Sequence, residues 1–223
     1  MVTKPTRGQP DWDVTLNAAL DDLQGQVTTN GSAVSAVSTR VTILENQGET
    51  RASDMGLLLW TGDPAYATAT TTLTSGTVYT VKLNVRQAMT ATNLIYSVFT
   101  AGSTLTSGQN FVGLYDSSGN RVAVSADQTS NWGSLGTMVT PFTAPVALTP
   151  GAYFAAWLSN GTTPITLTRG TGLQSAMVNV NQTAATYRYT TGGTGWSSLT
   201  ALPAPGVMAN RSIGGFTFWC AIS

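Results

Sequence analysis

The chain has 223 residues, of which 42% are apolar and only 9% charged, against about 25% charged in an ordinary soluble domain. That combination excludes a disordered polyampholyte. Histidine is absent, Cys220 is the one cysteine, and ten Lys plus Arg balance ten Asp plus Glu, so zinc sites of His and Cys, imidazole-based nucleophilic catalysis and an intrachain disulfide are all excluded.

No basic run exceeds one residue, which speaks against binding nucleic acid. The opening MVTKPTRGQPDWDV has no apolar core for a secretory signal, and no stretch approaches a membrane span. The expectation is a product made in the cytoplasm, without a signal peptide and without membrane insertion.

The charges divide unevenly. Residues 1–55 hold seven acids and four bases, whereas residues 56–223 hold three acids (Asp63, Asp116, Asp127) and six bases. Gly, Pro and aromatic residues gather in the second part, so two architectures share the chain.

In the first part, Leu16, Leu20, Leu23, Val27, Val34, Val37, Val41 and Leu44 follow a strict 4,3 spacing, with Asn30 in the one remaining place. This is a heptad seam, with Leu20, Val27, Val34 and Val41 at a and Leu16, Leu23, Asn30, Val37 and Leu44 at d. It predicts a helix of roughly 43 Å. Asp11 is the expected N-cap, Asp13 sits in the first turn and Gly48 marks the end. The flanking e and g positions are mostly small and neutral, which favours identical partners. Val at a with Leu at d favours two strands, whereas Val37 at d and the small flanks favour three. An amphipathic helix lying on its own globular domain is the alternative, but its 3.6 period would drift off this seam. Asn30 reads either as a polar layer that fixes register or as a ring of amides around an anion or water.

From residue 77 the period becomes two. Strands are predicted at Val78–Val85, Leu94–Thr100, Phe111–Tyr115, Arg121–Ser125, Ala152–Ser159, Ile165–Arg169, Ala176–Val180, Thr186–Tyr189 and Gly215–Ile222. Turn sequences punctuate them at Asp116–Asn120, Thr149–Gly151 and Ser159–Gly161. The fold class is therefore mainly β, an antiparallel sandwich of jelly-roll type behind an N-terminal coiled-coil helix. Phe216, Phe218, Cys220 and Ile222 fall on one face of the last strand, so Cys220 reads as a buried apolar side chain. Thr217, Trp219 and Ala221 take the other face. A strand apolar on both faces has a core to meet and a second surface to cover, which a neighbouring subunit would supply.

Three aspartates give few carboxylate pairs for glycoside hydrolysis, and no enzymatic activity is expected. Asp116, Asn120, Asp127 and Asn131 lack EF-hand spacing, and Gly192–Gly195 lacks the Lys-Ser/Thr ending of a phosphate loop. Neither a cofactor nor a metal is expected. Trp132 and Trp196 stand among Gly, Ser, Thr and Asn, where an exposed indole offers a flat face to a sugar ring. Asp127, Asn131, Tyr187 and Arg188 would supply hydrogen bonds beside them. The alternative for each indole is that it folds back to plug an end of the sandwich.

Several segments carry a resemblance. Arg40-Val41-Thr42-Ile43-Leu44-Glu45 resembles the trimerisation motif of short three-stranded coiled coils, which implies that Arg40 and Glu45 pair between chains. Gly8–Trp12 followed by Leu16–Leu20 is similar to the start of tailed-bacteriophage fibre and minor tail proteins. Gly108–Asp116, Gly119, Ala126-Asp127, Trp132 and Gly151–Phe154 resemble a β-rich module of such proteins. The resemblance implies a homotrimeric virion protein: residues 1–15 docked on other virion proteins, with Pro10 and Trp12 as anchor; a stalk at 16–47; a linker and start of the head at 48–76; and a head at 77–223. Its implied role is contact with a host-surface glycan or protein, or a capsid-attached fibre or decoration.

Overall fold

The computed structural model describes residues 12–45, 50–171 and 175–223, and side chains within the first segment from residue 16 to 41. Pro10, Asp11 and Gly48, and the side chains of Trp12, Asp13, Leu44 and Glu45, lie outside the described residues. The chain divides into two compact units between residues 49 and 50.

The first unit holds one helix, α1 (Trp12–Glu45), of 34 residues, or about 51 Å. Its apolar seam is exposed among the described residues: Leu23, Val27 and Val34 are 57%, 64% and 69% exposed. Intrinsic propensity gives it little support. Gly25 and Gly31 interrupt it, and the hydroxyls of Thr28, Thr29, Ser32, Ser35 and Thr39 each donate to the carbonyl four residues back, a habit that weakens helices slightly.

Among the described residues the second unit has fourteen strands: β1 (Leu59–Trp60), β2 (Ala69–Thr72), β3 (Val78–Val85), β4 (Met89–Thr100), β5 (Ser103–Leu105), β6 (Phe111–Asp116), β7 (Arg121–Val124), β8 (Gly136–Leu148), β9 (Gly151–Leu158), β10 (Gly161–Thr163), β11 (Thr166–Arg169), β12 (Tyr189–Gly193), β13 (Arg211–Ile213) and β14 (Cys220–Ile222). One six-stranded antiparallel sheet runs β1-β14-β4-β11-β2, with β8 on the other edge of β4. A second runs β13-β12-β3-β9-β6-β7, and β5 pairs with β10. The sheets share one apolar core: Val81, Leu83, Leu114, Ala155 and Trp157 of the second meet Leu94, Tyr96, Val98, Leu167, Cys220 and Ile222 of the first. Because β1 and β2 belong to the first sheet, residues 59–72 are part of the second unit.

The strand expectations need five corrections. Ala176–Val180 is not a strand but continues a helical turn, α2 (Ser175–Val178), since a short apolar run reads equally as either. Thr186–Tyr189 contributes only its last residue to β12. Gly215–Ile222 is a strand only from Cys220, with Phe218 reaching Arg169 through an isolated bridge. β4 begins five residues early, and its long partner β8 was not foreseen, because Pro141 and Pro145 argue against a central strand. They are tolerated because the one ladder of β8 is with β4, its other edge making only a single bridge, Phe142 to Ser125. No helix among the described residues is long and apolar enough to cross a membrane.

Candidate functional site

The two tryptophans expected as sugar platforms are both fully buried. Trp132 lies in the core between the sheets, where its indole Nε1 donates to the Tyr96 hydroxyl at 2.7 Å. Tyr96 and Thr140 share a hydroxyl hydrogen bond at 2.8 Å. Gln128 receives the amide of Asn131 at 2.9 Å, and the Gln128 carbonyl accepts from the Trp132 backbone at 2.9 Å. Burial pushes the Tyr96 phenol up to about 12, although the bonds to Thr140 and Trp132 oppose it.

Trp196 belongs to a separate cluster on the outer side of the second sheet. There Trp196, Leu199, Leu202 and Met208, from a segment following β12, pack on Val78, Tyr115, Phe154, Ala156 and Leu158. The indole meets the Tyr115 ring edge-on at 5.2 Å and donates to the Val207 carbonyl at 2.9 Å. Both indoles fold back as plugs, because each N–H finds an internal acceptor and each ring an apolar bed. The structure therefore corrects the exposed-platform expectation.

The neighbouring polar candidates separate accordingly. Asp127 is half-buried and accepts from the Asn110 backbone at 3.1 Å, tying two loops together. Burial raises its carboxyl, but hydrogen bonds from Thr129, Gly108 and Asn110 outweigh that and hold it below the usual carboxylate range. Asn131 is exposed beside a shallow depression that Ser130, Ser134, Thr137 and Thr140 also line. Tyr187 is half-buried and Arg188 exposed, at the entry to β12, where the Arg188 carbonyl accepts from Lys82 at 2.8 Å. No hydrogen bond or ring contact brings them to either tryptophan.

Asp116 performs the turn role predicted for it: its carboxylate accepts from the backbones of Ser118 and Asn120 and from the Asn120 amide, all within 2.9 Å. Asp63 likewise caps a short turn by accepting from Ala65 at 2.8 Å. Among the described residues no group of three or more acids or cysteines is placed to hold a metal ion.

Arg211 was invisible as a special residue in the sequence. It is buried without a carboxylate partner: its guanidinium donates to the Thr80 hydroxyl and to the carbonyls of Ala184, Ala185 and Met208, and lies 4.1 Å from the centre of the Phe154 ring. Burial lowers it to about 10. Every one of these partners is structural, so it fastens loops to the second sheet.

The outer side of the first sheet is different in kind. Register places Trp60, Ala221, Ile95 and Val139 in one row across β1, β14, β4 and β8, on the side opposite Tyr96 and Cys220, where Ala221 and Ile95 are buried, Trp60 half-buried and Val139 exposed. Phe99 follows on the same side of β4. Beyond the row, Trp219, Tyr66 and Asp63 border a groove of about 140 Å³, with the Trp219 indole donating to the Gly62 carbonyl at 2.9 Å. No family model matches the chain, and no curated protein matches it.

Proposed function

We propose that this chain is a homotrimeric virion fibre or tail-tip protein, with α1 as a three-stranded coiled-coil stalk and the β unit as a jelly-roll head that contacts the host surface. The observation that carries the reading is the exposed heptad seam of α1. A 34-residue helix rich in Ser, Thr, Val and Gly is supported by burial of its apolar stripe against partners rather than by propensity. Neutral e and g positions favour identical partners, and the Arg40–Glu45 resemblance favours three. The phage resemblance of the N-terminal segment and of Gly108–Phe154 supports the virion assignment.

For host contact, Asn131 and Arg188 are the sequence candidates whose side chains reach solvent, and Tyr187 is partly available. Weak contacts repeated on one trimer gain strength from their shared effective concentration. A second reading, a capsid-attached fibre or decoration protein, is favoured by the burial of Trp132 and Trp196, which removes the two indole platforms that the sequence offered to a glycan.

The test is assembly of virions with a chain lacking residues 1–15. It is expected to trimerise yet fail to incorporate. Normal incorporation would contradict the attachment role of Pro10 and Trp12, and electron micrographs of antibody-labelled particles distinguish tail from capsid.

A further inference from the structure

We infer that the groove bordered by Asp63, Tyr66, Thr217 and Trp219 is a binding site for one uncharged pyranose ring of a glycan. The inference rests on the host-contact reading above only for where such a glycan comes from, and it holds whatever the oligomeric state.

Accessible indoles and unengaged carboxylates are scarce in the second unit, and the groove brings one of each together. Of the tryptophans whose side chains are described, Trp132, Trp157 and Trp196 are fully buried, while Trp60 and Trp219 are half-buried. Trp219 borders the groove together with Tyr66, which is 79% exposed. Of the three aspartates in residues 56–223, Asp116 commits both oxygens to Ser118 and Asn120, and Asp127 is tied to Asn110 and Thr129. Asp63 accepts one bond, from the Ala65 amide to Oδ1, and no hydrogen bond reaches its Oδ2 among the described residues.

The bordering side chains divide by their bonding. The Thr61 hydroxyl donates to the Phe218 carbonyl at 3.2 Å and the Trp219 indole to the Gly62 carbonyl at 2.9 Å, which holds the indole as a fixed wall. The hydroxyls of Tyr66 and Thr217, like Asp63 Oδ2, make no hydrogen bond among the described residues, so their capacity is left for water or a ligand. Gly62 and Gly170 add no side chain to the lining. The volume of about 140 Å³ falls well short of the roughly 300 Å³ at which drug-sized ligands become enclosed, and suits a single ring.

These groups select the chemistry of the occupant. A flat apolar wall takes the C–H side of a sugar ring. An ionised carboxylate only accepts, so the ligand must bring donors, and the two free hydroxyls both give and accept; ring hydroxyls answer both needs, whereas a quaternary ammonium has no donor to offer. No Lys or Arg borders the groove. The nearest in sequence, Arg169, has its guanidinium 4.1 Å from the centre of the Phe216 ring and bonded to Thr70, Thr71 and the Gly170 carbonyl. A phosphate, sulfate or carboxylate on the ligand would therefore meet Asp63 with no lining cation to offset the repulsion.

The test is saturation-transfer NMR on the full chain with the methyl glycosides of glucose, galactose and mannose, with N-acetylglucosamine, and with glucuronate and choline as charged probes, all at millimolar concentration. At least one neutral sugar is expected to receive saturation, most strongly at the C–H protons of one ring face. Asp63→Asn keeps the oxygen that caps the turn and is expected to weaken that binding about tenfold. Tyr66→Ala, at an exposed position, weakens it too and reports on the site if Asp63→Asn does not fold. Glucuronate should bind less well than methyl glucoside, and the gap should narrow in Asp63→Asn. No transfer to any neutral sugar, transfer unchanged in both variants, or stronger binding of choline would each overturn the inference. If the sugar binds as expected and virions carrying Asp63→Asn adsorb to host cells unchanged, the inference stands and the host-contact reading falls.

Discussion

The indole N–H of Trp132 donates to the hydroxyl of Tyr96 across 36 residues of sequence, at 2.7 Å and out of reach of solvent. Trp132→Ala removes both a core volume and that donor, and is expected to cost about 3–5 kcal/mol. Trp132→Phe keeps most of the volume and should cost less, about 1 kcal/mol for the lost hydrogen bond, since the Tyr96 hydroxyl keeps its bond to Thr140. Thermal unfolding followed by near-ultraviolet dichroism checks the order. A solvent-facing tryptophan would melt unchanged after either substitution.

Tyr96 also makes alkaline stability predictable. Its phenol ionises at about 10 when unfolded and at about 12 in the fold, so between those values the unfolded state sheds protons first. Stability from this group is complete below pH 10 and is lost progressively as pH rises toward 12. Melting temperature against pH should turn down in the alkaline range, and Tyr96→Phe should lessen that limb without removing it, since burial also raises Tyr115, Tyr189 and Cys220. An unchanged limb in the variant would show that other groups govern it.

At the acid end the direction reverses. Asp116 and Asp127 are held below the usual carboxylate range by the hydrogen bonds that outweigh their burial. Their stabilisation is present above that range and is lost as pH falls through their lowered values. Asp127→Asn is expected to destabilise the head by about 1 kcal/mol at neutral pH, with the difference from the wild type shrinking as both are acidified.

Gly206 is tied to Trp196 by space rather than by backbone conformation. A Cβ there would stand 2.4 Å from the indole ring, so Gly206→Ala should displace the plug at a cost of about 1–3 kcal/mol. Gly133, whose added Cβ would meet nothing within 4 Å, provides the control. Equal melting of the two variants would contradict the placement of Trp196.

Asn30→Val should raise the thermal stability of the assembled protein while loosening register or oligomer number, since a polar seam position trades stability for specificity. Light scattering and calorimetry on the same sample read both effects. A lower melting temperature would place Asn30 outside the seam.

Strands with clean alternation were legible in the sequence: β3, β6, β7, β9 and β11 fall where period-two patterning puts them. What the pattern could not reveal depends on neighbours distant in the chain. β8 is possible with two prolines because one of its edges carries no ladder, only the bridge from Phe142 to Ser125, a fact of topology. Gly192 and Gly193, at φ 61° and 120°, resemble a loop yet complete β12. Trp132 and Trp196 sit among turn-forming residues, and only the fold shows that those turns close over them. Composition did foretell that the β unit carries few charges.

The most direct measurement of the account is the mass of the full chain in solution by light scattering after size exclusion. Three copies of a 23.2 kDa chain predict about 70 kDa, held on dilution through the micromolar range. A mass of 23.2 kDa would contradict it, because the heptad seam of α1 would then have no second copy to pair with.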